Sequence, residues 1–165
     1  MSQGNVGFAE FFEASWDPCL RAVAASTGSM MLAEDQVAEA FARAWACWHK
    51  VSRHPAPRAW VVRTALNAGA SAWHRRSRET ALASQDIAAA DSEGTGLDTA
   101  VLAALRRLPA RQREVIVLRV FLDLDIDTTG RQLGIAPGTV RAHLSRAMTA
   151  LRGELAPATT TKTGQ

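Results

Sequence analysis

One short segment near the C-terminal end of the chain carries several polar and basic side chains. Residues 137–146 read Pro-Gly-Thr-Val-Arg-Ala-His-Leu-Ser-Arg, and helical spacing turns Val140 and Leu144 inward. Arginine can donate two hydrogen bonds to a guanine edge, and a hydroxyl group can reach a phosphate or a base. The chemistry predicted here is recognition of duplex DNA, by the side chains left on the outside: Thr139, Arg141, His143, Ser145 and Arg146.

The residues before this segment predict a helix-turn-helix that would position it. The first helix is predicted over Ile126–Leu133, and Gly134 supplies the positive φ that ends it. Pro137 then opens the recognition helix. The alternative is a solvated face of an ordinary helical bundle. His143 alone decides nothing, since it could read a base, touch a phosphate or point at water.

A second basic region lies in the N-terminal half. Residues 40–78 contain no acidic residue, but hold seven arginines, one lysine and four tryptophans. Arg63, Asn67 and His74 recur on one helical face, and Arg75 and Arg76 follow. Such a surface could hold an unstacked single strand. The alternatives are that the tryptophans belong to the core and that the arginines form a solvated helix end.

The periodicity predicts an all-α chain of two small helical domains joined by a flexible acidic linker. The first domain covers 5–80, the linker 81–97 and the second domain 98–155, with a disordered tail over 156–165. A break or kink is expected at Pro18. Five helices are predicted besides the helix-turn-helix: 5–26, a Ser29-capped helix to about Trp48, 58–78, a short helix over 97–105, and 111–121.

The composition argues against several classes of function. The 165 residues carry a net charge of +3 and no apolar run long enough for a membrane span or a signal peptide, so a cytoplasmic protein is expected. Cys19 and Cys47 are expected to be free thiols, because zinc binding by Cys47, His49 and His54 would need an unusual spacing. No phosphate loop or nucleophile–base set is visible, so we expect neither an enzyme nor a cofactor or metal.

Two sets of motifs resemble a known family. Leu108-Pro-x-x-Gln-Arg-Glu-Val115, Leu133-Gly134 and Gly138-Thr-Val-Arg141 resemble region 4 of extracytoplasmic-function (ECF) sigma factors. The second set resembles region 2 of the same family and consists of the stretch 33–41, Pro57-Arg-Ala-Trp60 and Arg63-x-x-x-Asn67. The resemblance covers about residues 5–155, with the two regions in the family's order.

The resemblance implies a promoter-specificity subunit that binds core RNA polymerase and promoter DNA. Region 2 would bind the β′ clamp helices and recognise the −10 element, while region 4 would read the −35 element and dock on the β flap. An anti-sigma factor is a further candidate partner. The implied polymerase-binding residues are Asp35, Gln36, Glu39, Arg43 and Trp45. The implied −10 residues are Arg63, Asn67, His74, Arg75 and Arg76, and the −35 residues are those already named on the recognition helix.

This chain departs from the family pattern in the first helix of the helix-turn-helix. Thr129 and Gly130 stand where the family usually has an apolar residue and alanine, and glycine within a helix costs about 1 kcal/mol relative to alanine. Asp123, Asp125 and Asp127 place three carboxylates near the expected DNA surface. These departures predict a weaker region 4. Two other functions stay open: a stand-alone DNA-binding regulator, since 139–144 also resembles LuxR-type recognition helices, and a sigma-like interaction protein.

Overall fold

Every regular element in the described residues is helical, which confirms the all-α prediction. The structure is a computed structural model that describes residues 3–79 and 96–157, with side chains over 6–70 and 96–157. The elements are α1 (Gln3–Thr27), α2 (Met30–Ala46), α3 (Trp48–Val51), α4 (Pro57–Glu79), α5 (Thr99–Arg107), α6 (Ala110–Ile116), a π-helical segment (Val117–Phe121), α7 (Ile126–Leu133) and α8 (Pro137–Leu155). The linker and tail predictions fall largely outside the described residues.

Helix α1 is continuous through Pro18, so of the predicted break or kink the break does not occur. Proline has no N–H, and it therefore leaves the carbonyl of the residue four positions earlier without a helical donor. Here that carbonyl belongs to Ala14, and Nη2 of Arg58 donates to it at 2.8 Å. Nε of Arg58 also donates to the buried Ser15 hydroxyl at 3.1 Å. The side chain of Arg58 in α4 thus supplies the hydrogen bond that Pro18 cannot donate to the carbonyl of Ala14.

Helix α2 begins where the sequence predicted and ends slightly earlier. The Oγ of Ser29 accepts a hydrogen bond from the N–H of Leu32 at 3.3 Å, as an N-cap does. The helix ends at Ala46, and Trp48 starts the short α3 instead of extending α2. The ring of Trp48 lies 5.3 Å from Phe8 and 5.2 Å from Phe11, so it closes an aromatic cluster between α1 and α2.

The predicted helix over 111–121 changes character half-way. It is α-helical to Ile116 and π-helical from Val117 to Phe121, with Leu122 N–H donating to the carbonyl of Val117 at 3.3 Å. A π-helical turn inserts one extra residue and is uncommon outside special packing or functional positions. Val115 and Leu118 remain buried, as the sequence predicted.

The two predicted domains pack against each other. One continuous hydrophobic cluster includes Val23 and Val62 from the N-terminal half and Val115, Leu118 and Val140 from the C-terminal half. Helix α1 contacts both α5 and the π-helical segment. Helix α4 and the helix-turn-helix are therefore held close together. No helix in the described part of the chain is long and apolar enough to cross a membrane.

Candidate nucleic-acid interface

The helix-turn-helix forms as the sequence predicts. Gly134 ends α7 with φ of +67° and ψ of 34°, a left-handed conformation that glycine adopts without steric cost. Pro137 is the first residue of α8, and Val140 is completely buried behind it. The recognition helix is thus anchored on one side and free on the other.

Thr129 and Gly130 fit this motif closely. Thr129 is fully buried, and its hydroxyl donates to the carbonyl of Asp125 at 2.8 Å, so its polar group is satisfied. A Cβ on Gly130 would lie only 2.7 Å from the carbonyl oxygen of Ile135, whose own N–H donates to the carbonyl of Gly130 at 3.0 Å. The turn therefore lies directly on Gly130, and the glycine permits this approach.

This contact predicts that two Gly→Ala substitutions change the thermal stability in opposite directions. Alanine gains about 1 kcal/mol over glycine in a helix interior, but a forced steric overlap costs typically 1–3 kcal/mol. Gly153 in α8 has open space around its Cα. We expect Gly153→Ala to raise the thermal midpoint and Gly130→Ala to lower it, measured by circular dichroism. A Gly130→Ala variant that is as stabilised as Gly153→Ala would contradict the close approach.

Four of the five predicted −35 residues are exposed on α8. Thr139, Arg141, Ser145 and Arg146 are accessible to solvent. His143 is half-buried, and its Nδ1 is inaccessible with no hydrogen-bond partner among the described residues. The histidine lies on the flank of the recognition helix, so the outer face consists of arginine, serine and threonine side chains.

Asp125, the residue directly before α7, has a structural role. The carboxylate of Asp125 accepts a hydrogen bond from the N–H of Thr128 at 2.6 Å and caps the helix. Hydrogen bonds from the main chain and side chain of Thr128 lower the pKa of Asp125. Asp123 adopts a φ of +52°, which is uncommon for a residue other than glycine. At least one of the three carboxylates is thus engaged within the protein.

The cap makes the helix-turn-helix sensitive to acid. Because the folded pKa of Asp125 is depressed, its stabilisation is present above the unfolded value near 3.9 and is lost as the pH falls through the lower, folded value. We expect Asp125→Ala to lower the thermal midpoint at pH 7 and to have a smaller effect in acid, well below the unfolded value. Asp125→Asn is the control, because asparagine caps without titrating. Equal losses for Asp125→Ala at both pH values would contradict this role.

The predicted −10 residues whose side chains are described lie on α4 and face the C-terminal half. Arg63 and Asn67 are exposed one helical turn apart. An Nη atom of Arg63 donates a hydrogen bond to the main-chain carbonyl of Gln132 in α7. The crevice around them, of about 50 Å³, is also lined by Glu114 and Leu118. His74, Arg75 and Arg76 belong to α4, but their side chains lie outside the described residues.

The implied polymerase-binding residues divide between two faces of α2. Asp35, Glu39 and Arg43 are exposed, and Glu39 pairs with Arg43 at 2.9 Å. Gln36 is half-buried and lies directly over Gly69, where an added Cβ would come within 2.3 Å of its amide nitrogen. Gln36 is therefore turned toward α4 and away from the other three residues.

Trp45 lies at the end of α2 beside the aromatic cluster. Its ring is 4.9 Å from the ring of Phe8, but 48% of the residue remains exposed. An exposed tryptophan with one covered face is typical of protein-binding surfaces. Of the four tryptophans in the acid-free region, Trp48 and Trp60 are half-buried against the core.

An open apolar groove of about 790 Å³ is a feature that the sequence did not predict. Helices α5 and α8 and the π-helical segment form most of its walls, with Pro18 and Arg21 of α1 at one side. The groove has no acidic residue in its lining. Val120 and Leu155 are large apolar residues that remain 59% and 42% exposed on the outer faces of their helices. Apolar residues at such positions are the signal that could have revealed the groove.

The thiols and candidate metal ligands do not form a reactive site in the described residues. Cys19 is buried, and burial raises the pKa of its thiol to about 12, so it stays protonated at neutral pH. Cys47 is also free. In residues 6–70 and 96–157 no group of three His, Cys, Asp or Glu side chains could hold a metal ion.

Comparisons with known proteins decide the family. Residues 17–79 match the Sigma-70 region 2 family and residues 98–151 match the Sigma-70 region 4 family. An RNA polymerase sigma-E factor from Streptomyces antibioticus is 31% identical over 159 residues, covering 94% of this chain and 88% of the relative. The chain belongs to the ECF sigma factors.

Two further comparisons are consistent with this assignment. A segment of 48 residues, 29% of this chain and 25% of the relative, is 48% identical to the ECF RNA polymerase sigma factor ShbA from Streptomyces griseus. The solved structure of the sigma factor RpoE from Bartonella quintana, in complex with the anti-sigma factor NepR, matches with 27% identity and a TM-score of 0.72. That match covers 90% of this ECF sigma factor and 96% of the solved chain. ECF sigma factors are regulatory proteins that act in transcription initiation.

Proposed function

We propose that this ECF sigma factor directs core RNA polymerase to its promoters through four surfaces. The domains are 5–80 and 98–155, joined by a linker over 81–97. The observation that supports the proposal is that basic and polar side chains are exposed on both α4 and α8 in one chain. A stand-alone regulator would need only the second of these.

The exposed side of α2 is the proposed contact with the β′ clamp helices. Asp35, Glu39 and Arg43 are accessible there, and Trp45 offers an apolar surface at the end of the helix. Charged residues at such an interface fix orientation and raise the association rate, while a buried aromatic side chain supplies affinity. Gln36 contributes by packing α2 against α4.

The outer face of α8 is the proposed reader of the −35 element in the major groove. Arg141 can pair with a guanine edge, and Thr139, Ser145 and Arg146 can contact phosphates or neighbouring bases. Arg63 and Asn67, with His74, Arg75 and Arg76 further along α4, are proposed to hold the −10 strand. Basic side chains on α4 would follow the backbone of that strand after it unstacks.

The apolar groove is the proposed site of the β flap. It belongs mainly to the C-terminal domain, and its walls include Val101, Phe121, Met148 and Leu151. An open apolar surface of this kind is typical of a protein-binding site. Its position on the domain leaves the outer face of α8 free for DNA.

We also propose that the protein is cytoplasmic, has no catalytic activity of its own and is held by an anti-sigma factor when not required. The solved sigma factor that it resembles was crystallised with such a partner. The groove lining holds Arg21 and Arg152 and no acidic residue, which favours a partner segment with acidic side chains at its edge.

Run-off transcription with purified core polymerase tests the proposal. The template should come from the region upstream of the protein's own gene and from sites mapped across the genome. We expect transcripts that depend on addition of the protein. Absence of both transcripts and core binding would refute it, whereas tight binding to promoter duplex without polymerase would favour the stand-alone regulator.

A further inference from the structure

The exposed side of α2 carries a row of residues whose spacing alternates between four and three positions. Met31, Asp35, Ala38, Ala42 and Trp45 follow one another at these spacings, and each of them is exposed to solvent. This is the spacing at which one helix presents residues to a second helix lying along it. From Met31 to Trp45 the row is about 21 Å long, at 1.5 Å per residue. We call these residues the α2 seam.

The α2 seam lies away from the core of the protein. Met30 packs against the hydrophobic core, but Met31 beside it remains 72% exposed, the highest value among the large apolar residues whose side chains the structure describes. Large apolar residues that stay exposed in this way mark surfaces that bind other proteins. The residues that α2 does bury belong to a different side of the helix: Ala33, Val37, Ala40, Phe41 and Ala44.

The first turn of α2 holds Met31 in a defined position. The hydroxyl of Ser29 accepts from the N–H of Leu32, and the hydroxyl of Thr27 donates to the carbonyl of Ser29 at 3.2 Å. A residue on a capped helix has little backbone freedom left to lose when a partner binds. Its thioether side chain is flexible and can fill an irregular gap in a partner's surface. Met31 is therefore suited to act as an apolar anchor.

We propose that the α2 seam packs along a helix of core RNA polymerase, with Met31 as an apolar anchor of this contact. The proposal rests on the proposed function, which already places Asp35 and Trp45 at the β′ clamp helices. A single polar residue in a row of this kind fixes the register of two helices at a cost in affinity. Asp35 thus sets the register, Met31 and Trp45 supply affinity on either side, and Ala38 and Ala42 leave room for a close approach.

Dissociation of the full-length protein from core polymerase tests this assignment. Fluorescently labelled protein is bound to core polymerase and then chased with an excess of unlabelled protein at several salt concentrations. Met31→Gln keeps a long, helix-compatible side chain but replaces its apolar end with an amide. We expect this variant to bind about 5- to 30-fold more weakly, mostly because it dissociates faster. Met31→Leu keeps an apolar side chain and should bind nearly as well as the wild type.

The salt dependence distinguishes an apolar contact from a charge effect. Salt does not screen apolar contacts, so Met31→Gln should weaken binding by the same factor at each salt concentration. Asp35→Arg should weaken binding by a factor that shrinks as the salt concentration rises. Because Met31 is exposed, Met31→Gln should leave the thermal midpoint unchanged, which a purely structural role would not allow.

A bulky residue in the middle of the α2 seam provides a second test. Ala42→Trp would hold a partner helix away from α2, and we expect about 5- to 150-fold weaker binding, the range for overpacking a close contact. Two variants are the matched controls and should bind normally. Val6→Thr alters an apolar residue of α1 that is 53% exposed, and Ala150→Trp adds the same bulk at an exposed position of α8.

The outcomes separate the α2 seam from the proposed function. Wild-type dissociation of Met31→Gln, or a loss no greater than that of Val6→Thr, overturns the proposal. Normal binding by Ala42→Trp overturns it as well. If Asp35→Arg still weakens binding in those cases, the polymerase contact on α2 stands without the seam. If Asp35→Arg also binds normally, the proposed function of α2 fails together with the seam.

Discussion

Replacing Asp35 with arginine is expected to weaken binding to core polymerase strongly. The carboxylate is exposed on the outer face of α2, on the surface proposed to meet the clamp helices. Charge reversal at a desolvated interfacial contact costs about 2–4 kcal/mol, or roughly 30- to 1,000-fold in affinity. Fluorescence anisotropy of the labelled protein, titrated with core polymerase, measures this loss.

Glu34 provides the control for Asp35. It is the preceding residue, is also exposed, and projects from a different side of the same helix. Glu34→Arg should therefore bind polymerase with nearly unchanged affinity, whereas a general charge effect would weaken both variants equally. Wild-type affinity in a folded Asp35→Arg variant would remove α2 from the polymerase interface.

Arg141→Ala is expected to reduce promoter-specific transcription without affecting polymerase binding. A bidentate arginine–guanine contact contributes about 1–3 kcal/mol of discrimination, so run-off transcription should fall roughly 5- to 150-fold. Arg141 is exposed on the recognition helix, while Val140 and Ala147 anchor that helix, so its loss should not unfold the domain. The measurement is run-off transcription at limiting holoenzyme.

Two further variants distinguish base reading from phosphate attraction. Arg141→Lys keeps the charge but loses the paired donors, so it should behave like Arg141→Ala if the arginine reads a base. If Arg141→Lys retains full activity, the residue serves as a phosphate contact. Arg111→Ala, which removes an exposed arginine from α6, is the matched control and should be active.

Local signals predicted the parts of the fold that local chemistry determines. Ser29 caps α2, Gly134 ends α7 and Pro137 begins α8, because each depends on a few adjacent residues. The buried positions of the recognition helix followed from the helical spacing of its apolar residues. The exposed side chains of α8 were predicted in the same way, apart from His143, which lies on the flank of the helix and is half-buried.

The features that the sequence did not predict depend on residues far apart in the chain. Arg58 completes the α1 hydrogen bonding at Ala14, 44 positions earlier, so the break predicted at Pro18 did not occur. Gly130 was interpreted as a defect of helix propensity, but the neighbouring turn requires its small size. The position of Gln36 over Gly69 likewise depends on how α2 and α4 pack.

The continuous core between the two halves also bears on competition for polymerase. If core polymerase binds only a conformation in which this core has opened, its apparent dissociation constant equals the intrinsic value divided by the fraction of the protein in that open conformation. An open fraction of about 1% would weaken apparent binding about 100-fold. Substitutions at buried residues of this core, such as Val62 and Val117, would then change how well this protein competes with other sigma factors, although both side chains are buried inside the protein.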